Sequence, residues 1–252
     1  MKSRAISIID TSSFCLAKNV NKQNDDSILP PKTIDNGVLM AIADGVGSYP
    51  GAKDASLIAI DFLNQIESGK YLLDFSDIFY KIKEKIIAFN NSDDSFKKAA
   101  TTLTFAYITN SYLHIGHIGD CRLYIKINNK LVQLTKDHTR YQEQLDQGIF
   151  TKKQLLADSH KTKRMLTTAI SSSIIMNFNE IHIPISELSL SDNKLDLYLM
   201  SDGTHSFWEK RPKFSNNTMN SMCYFSSSLK KRIERIEPED DYSLVSASIQ
   251  IS

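Results

Sequence analysis

The sequence predicts an α+β fold in which mostly antiparallel sheets pack against each other with helices outside. Three observations carry this expectation. Two amphipathic helical patterns follow one another between the early strands, with no strand separating them. From Thr101 to Leu134 the period changes to short β-rich runs punctuated by turns, as in an antiparallel meander. Later strands are separated by long helical interruptions, which argues against a repeated βαβ series.

In chain order, Ala5, Ile6, Ile8 and Ile9 suggest an opening strand. Asn19–Ser27 is polar and turn-like and contains the paired acids Asp25 and Asp26. Ile28 and Leu29 then meet Pro30-Pro31, which removes two ladder donors and predicts a loop rather than a central strand. Val38–Ala43 reads as a buried strand that ends at Asp44. Gly45-Val46-Gly47 and Tyr49-Pro50-Gly51 form the turn after it. Ala52, Ala55, Ile58, Ala59, Phe62 and Leu63 then repeat with helical spacing, predicting a helix over roughly Ala52–Glu67. A second helix carries Ile78, Ile82, Ile86 and Phe89 and stops at Asn90-Asn91. The meander comprises Thr101–Thr109, Tyr112–Ile118, Leu123–Ile127 and Leu131–Leu134, with Asn128-Asn129 as its clearest hairpin turn. Thr139–Gly148 and Thr151–Asp158 are short helical pieces. Ile174–Ile183 and Leu195–Ser201 return to strands, Met219–Ile236 favours a helix, and Ser243–Ile251 closes the chain as a strand. No linker, repeat or compositional break divides residues 1–252, so one domain is expected.

Composition narrows the function. With 30 basic and 29 acidic residues the formal net charge is +1, which leaves no broad field for nucleic acid. No apolar run reaches the roughly 18–20 residues of a membrane span. The first residues make a poor signal peptide, broken by Asp10. Cys15, Cys121 and Cys223 are odd in number and far apart, forming neither a disulfide framework nor a metal motif. A reducing, cytoplasmic setting is expected.

The chemistry lies in acids that adjoin apolar strands: Asp25/Asp26, Asp44, Asp120, Asp202 and Asp240/Asp241. Each alone is a competent turn former. Together they pose a physical problem. Carboxylates at the ends of buried strands are costly unless a cation or hydrogen bonds offset them, and like charges raise one another's pKa. Divalent cations resolve this, and oxygen-only ligands favour Mg²⁺ or Mn²⁺ over zinc. Two such ions about 3.5–4 Å apart are a standard arrangement for hydrolysing phosphate esters. Sequence spacing alone does not show that the acids converge.

Taken in order, NDDS at Asn24–Ser27, ADGVG at Ala43–Gly47, IGDCR at Ile118–Arg122, LTKDHTR, MSDG at Met200–Gly203 and DDYS at Asp240–Ser243 resemble the type 2C metal-dependent serine/threonine protein phosphatases, bacterial single-domain members above all. Thr101-Thr102, the flap-like Leu145–Leu155 and the segment Ala157–Ile170 extend the resemblance over about residues 5–251. It implies a four-layer α-β-β-α sandwich with metals at one end. Asp44 would bridge two Mn²⁺ or Mg²⁺ ions, the Gly45 carbonyl would bind the second, and Asp202 and Asp240 would complete the first ion's shell. Asp26, with Asp25, would hold metal-bound water, and Asp120 would recruit a possible third ion. The implied reaction is in-line attack of a metal-bridging hydroxide on phosphoserine or phosphothreonine, without a phosphoenzyme. The implied partners are a phosphorylated protein substrate and an opposing serine/threonine kinase, with the chain a monomer and neither nucleic acid nor membrane involved.

Departures from the family pattern shape the remaining expectations. Where the family carries a phosphate-clamping arginine, five positions before Asp26, this chain has Asn21. Lys22 beside it supplies charge without a bidentate fork and is the candidate substitute, with Lys18 the other. Val46 stands where eukaryotic relatives carry a histidine, and the segment after Asp202 is short. His114 and His117, three apart on a strand, face opposite sides and are read as structural, as is His160. His138 resembles a family position near the flap and is read as structural before chemical, and Phe207 and Trp208 pack against the sandwich edge or join a peptide-binding surface. Arg122 is expected to orient or pair with the Asp120 loop. Lys152-Lys153 and Lys161–Arg164 form a modest basic patch. Three functions stay open: a protein phosphatase, a catalytically weak relative that binds a phosphoprotein or regulatory partner, and a phosphatase of small phosphoesters.

Overall fold

The structure is a computed structural model that describes residues 6–47, 49–148, 165–188, 190 and 192–251. The strands are β1 (Ile6–Leu16), β2 (Asp26–Ile34), β3 (Gly37–Asp44), β4 (Ala100–Thr101), β5 (Leu103–Ile108), β6 (Tyr112–Ile118), β7 (Arg122–Ile127), β8 (Lys130–Gln133), β9 (Ile170–Ser171), β10 (Asn179–Pro184), β11 (Lys194–Met200) and β12 (Tyr242–Ile251). The helices are α1 (Ala52–Asn64), α2 (Phe75–Asn90), α3 (Arg140–Asp146), α4 (Asp202–Lys210), α5 (Asn216–Met219) and α6 (Met222–Glu234).

Two five-stranded antiparallel sheets result, ordered β1-β12-β11-β7-β8 and β10-β6-β5-β3-β2. The alternation along β3 shows why they form a sandwich. Val38, Met40 and Ile42 point inward to meet Leu123, Leu197, Leu199 and Val245 of the other sheet. Leu39, Ala41 and Ala43 point outward under α1 and α2, against Ala55, Leu63, Phe75, Ile78 and Ile82. The opposite outer face, with Tyr124, Tyr198 and Leu244, is covered by Phe207 and Trp208 of α4 and by Phe225 and Leu229 of α6. Helices, sheet, sheet and helices make the four layers.

Local chemistry explains the boundaries. The Asp74 side chain accepts the Asp77 N–H and starts α2 at Phe75, earlier than the apolar spacing indicated. Asn128 and Asn129 both take positive φ, 48° and 65°, which closes the β7–β8 hairpin with the twist a two-residue loop requires. The first helix ends at Asn64, short of the expected Glu67. The expectation for Pro30-Pro31 fails: β2 continues through both prolines to Ile34. It does so because β2 is the edge strand of its sheet and its register with β3 shifts between Leu29 and Lys32. The expected strand Ile174–Ile183 shrinks to Asn179–Pro184. The expected helix Thr151–Asp158, most of the flap-like Leu145–Leu155, His160 and the basic patch at 152–153 and 161–164 lie outside the described residues. None of the helices among the described residues is long and apolar enough to cross a membrane.

Candidate active site

Antiparallel pairing brings one end of each of several strands to the same end of the sandwich. The start of β2, the end of β3, the β6–β7 turn, the end of β11 and the start of β12 meet there. They enclose a cleft of about 710 Å³ lined by Asp25, Asp44, Asp120, Asp202, Asp240 and Asp241, with Gly45 beside them and Lys18 and Lys22 at its wall. Asp26 does not line the cleft. It lies behind it, fully buried, paired in register with Asp44.

Each acid is held through its backbone. The Asp44 N–H donates to Thr102 Oγ1 (3.0 Å), and the Asp44 carbonyl accepts from the Thr102 N–H (2.8 Å) and Thr101 Oγ1 (3.0 Å). The threonine pair therefore clamps the strand end that carries the acid. Both Asp-Gly sequences allow close backbone approach. A Cβ on Gly45 would collide with the Ala52 carbonyl at the start of α1, and one on Gly203 with the Asp241 carbonyl. Asp241 ties two loops together: its carboxylate accepts the backbone N–H of Lys18 (2.9 Å) and of Asp25 (2.7 Å). At the far wall, neutral His205 hydrogen-bonds through Nε2 to the Asp120 carbonyl (3.1 Å). Burial, and then the Arg122 charge, hold this imidazole down to about 3.

The electrostatics are those of buried carboxylates that raise one another. Burial, followed by the charges of Asp26, Asp202, Asp120 and Asp240, raises the Asp44 carboxyl well above its ordinary range. Four other acids thus act on Asp44 at once. Burial raises Asp26 to about 7, with the Ser243 and Ser201 hydroxyls opposing and Asp202 and Asp241 reinforcing the shift. Those hydroxyls lie nearby without closing a hydrogen bond, since both Asp26 carboxylate oxygens and Ser243 Oγ are buried without a partner. Asp120 is raised by burial and then by Asp202 and Asp137, against Arg122. Orphaned oxygens among mutually repelling carboxylates form a donor set that suits a hard divalent cation. Among the described residues, no three His, Cys, Asp or Glu side chains make a ready-made metal cluster.

Other expected residues separate clearly. Asn21 is exposed, its N–H bound to Asn19 Oδ1 (2.9 Å), and it does not line the cleft. Lys18 Nζ stands 3.4 Å from Asp240. Arg122 forks onto Asp137 (2.8 and 2.6 Å) and reaches Glu209 (2.5 Å), bracing the Asp120 loop without forming an ion pair with Asp120. His117 is buried between Thr104 Oγ1 and the Lys136 carbonyl, and His114 meets His182 on the other face. His138 joins Gly119 to Asn179, and Trp208 is packed beneath α6. The sequence reading missed His205, Ser201, Ser243 and Lys53, whose ammonium donates to the Asp26 carbonyl (2.6 Å) and Ser27 Oγ (2.9 Å). His205 was findable, since it sits one helical turn after Asp202.

The chain matches the family model described as Protein phosphatase 2C over residues 17–247. The serine/threonine phosphatase stp of Listeria welshimeri is 27% identical over 159 residues, spanning 60% of this chain and 62% of that protein. The serine/threonine protein phosphatase PstP of Mycobacterium tuberculosis is 30% identical over 156 residues, spanning 60% of this chain but only 29% of that protein. Both matches thus cover less than two thirds of the relative. The crystal structure of M. tuberculosis PstP/Ppp shares the fold with a TM-score of 0.77 at 21% identity, covering 97% of this chain and 100% of that one. A PstP catalytic domain crystallised with 2 manganese ions gives 0.73 at 20% identity, covering 98% and 100%. Stp1 from Staphylococcus aureus gives 0.76 at 18% identity, covering 98% of each. The family match runs from just before Lys18 to within β12 and brackets every acid of the cleft, so this chain belongs to the protein phosphatase 2C family.

Proposed function

We propose that the chain is a divalent-metal-dependent phosphatase that hydrolyses phosphoserine and phosphothreonine in proteins. The observation that carries this reading is the single cleft in which Asp44 feels the charges of Asp26, Asp120, Asp202 and Asp240. Asp44 would be shared between two ions, with the Gly45 carbonyl on the second and Asp202 and Asp240 on the first. Asp26, with Asp25, would orient water, and Asp120 would hold a third, weaker ion. Mn²⁺ or Mg²⁺ bound there would supply Lewis acidity toward the phosphoryl oxygens and a water nucleophile at neutral pH.

The chain's own residues do the rest. Thr101 and Thr102 fix the Asp44 backbone, which reduces the reorganisation that metal binding requires. Asp241 holds the Lys18 and Asp25 backbones in one register, so the wall cation and the floor acid keep their spacing. Lys18 and Lys22 would meet the substrate phosphate in place of the arginine absent at Asn21, as point charges rather than a fork. Lys18 is paired with Asp240 (3.4 Å), which keeps its ammonium at the cleft wall where a substrate phosphate would arrive. The expected context is a monomer acting opposite a serine/threonine kinase in the cytoplasm.

Turnover of a phosphothreonine peptide and of an aryl phosphate with Mn²⁺, for the parent and Asp44→Asn, tests the proposal. Metal-dependent hydrolysis that the variant loses is expected; no such hydrolysis, or equal rates, would sink it. The second reading, a non-catalytic phosphoprotein binder, is favoured only by the exposed Asn21. It predicts retained peptide binding without Mn²⁺ uptake.

A further inference from the structure

A second cleft, of about 660 Å³, opens on the outer helical layer between the α4–α5 connection and the end of α6. Arg211 and Lys213 form one wall, Lys231 and Arg235 the other, and Arg232 and Phe214 the base. Five cations around one cavity stand out in a chain of net charge +1. Cations near a helix C-terminus complement its dipole, which accounts for Lys231, Arg232 and Arg235 but not for Arg211 and Lys213 on the facing wall. Three of the nearby acids are engaged elsewhere, Glu209 with Arg122, Glu234 with Lys230 and Glu239 with Lys210, and exposed Glu237 does not line the cleft. Among the described residues, Arg211, Lys213, Lys231 and Arg235 make no ion pair.

The base is built rather than incidental. Arg232 donates to the Arg211 carbonyl (2.6 Å) and the Lys213 carbonyl (3.0 Å) and lies over the Phe214 ring, 4.0 Å from its centroid. It thereby holds the first wall against the second and keeps a positive charge beside an aromatic floor. Burial, and then the Arg211 charge, push Arg232 below its usual range. The chemistry of such a cavity suits an anion.

We propose that this cleft docks a phosphorylated segment of a partner protein at a site remote from the acidic cleft. Naming a phosphoprotein as the ligand rests on the phosphatase reading. Two exposed guanidinium forks on opposite walls suit phosphate oxygens, and Phe214 offers apolar contact to the residue that bears them. A compact cavity with one aromatic floor fits a peptide better than the long basic stripe nucleic acid needs or the broad apolar face a lipid surface needs. The nine residues of α4 separate the two clefts, with Asp202 at the start and Arg211 just past the end, about 13 Å along the axis. A segment that fills both must place its docking phosphate at least about four extended residues from the phosphate being cleaved.

The test is fluorescence anisotropy with a labelled peptide carrying two phosphoserines and its unphosphorylated twin, using the intact chain in chelator. Without metal, the six acids lining the first cleft disfavour phosphate there, so binding reports the basic cleft and Asp44→Asn should bind as the parent does. The parent should bind the phosphorylated peptide at least about tenfold more tightly than the twin. The triple variant Arg211→Gln/Lys231→Gln/Arg235→Gln should lose that preference while unfolding at the parent temperature and turning over an aryl phosphate at the parent rate. Parent-like affinity in the folded variant, equal binding of the twin, or displacement of the peptide by duplex DNA or anionic vesicles below its own concentration overturns the inference. An inactive chain that still binds in chelator refutes only the phosphatase reading; an active chain that does not bind refutes only the docking cleft.

Discussion

Replacing Asp26 with asparagine should stabilise the metal-free protein, and by more as the pH rises. Asp26 is fully buried, neither of its oxygens has a hydrogen-bond partner, and burial lifts it to about 7. A carboxyl raised on folding binds a proton in the native state that the unfolded chain has already released. Native stability is therefore lost as pH climbs from the unfolded carboxylate value toward about 7. Only the part of that window above pH 5 is readily accessible, about two units, or about 3 kcal/mol for this one group. For a chain of this size the difference between variant and parent should widen by about 6–12 °C in Tm between pH 5 and pH 8. A buried amide brings its own unpaired groups, but that cost does not depend on pH, so the slope isolates the carboxylate. The assay is thermal unfolding in chelator at several pH values. A difference that stays constant with pH, or narrows as pH rises, would refute the reasoning. Saturating Mn²⁺ should reverse the order, because the parent then gains a ligand that the variant binds less well.

Three further outcomes follow from the geometry. Asp241→Ala should lower stability by about 2 kcal/mol, since it strands the Lys18 and Asp25 amides, and should lower kcat/KM about tenfold; unfolding and steady-state kinetics measure both. Gly203→Ala should cost about 1–3 kcal/mol or more in unfolding experiments, because its methyl would land on the Asp241 carbonyl and displace that strand. Lys18→Ala should raise KM for a phosphopeptide about three- to tenfold with kcat nearly unchanged, as steady-state kinetics with Mn²⁺ would show.

The large divisions of the fold were legible because strong periodicity governed them. The buried strand before Asp44, the α2 stripe and the Asn128-Asn129 hairpin follow from local pattern. Pro30-Pro31 was misread because tolerance of proline depends on whether a strand lies at an edge, and neighbour order is not written locally. Thr101–Thr109 read as one strand, but the run is interrupted at Thr102, whose hydroxyl accepts the Asp44 N–H. The acids of the cleft were visible as strand-end turn formers. Their convergence was not, because it depends on contacts across the two sheets between segments more than 200 residues apart, as the Asp25 N–H on the Asp241 carboxylate illustrates. At Gly45 the structure adds a reason for glycine that the local pattern does not show: the Ala52 backbone packs against it.

Calorimetric titration of Mn²⁺ into the metal-free parent and Asp44→Asn at neutral pH tests most directly whether these carboxylates form one metal site. Uptake of at least two ions by the parent, with proton release and with loss of the tight site in the variant, is the expected result. Parent and variant that take up Mn²⁺ alike, or a folded parent that takes up none, would contradict it.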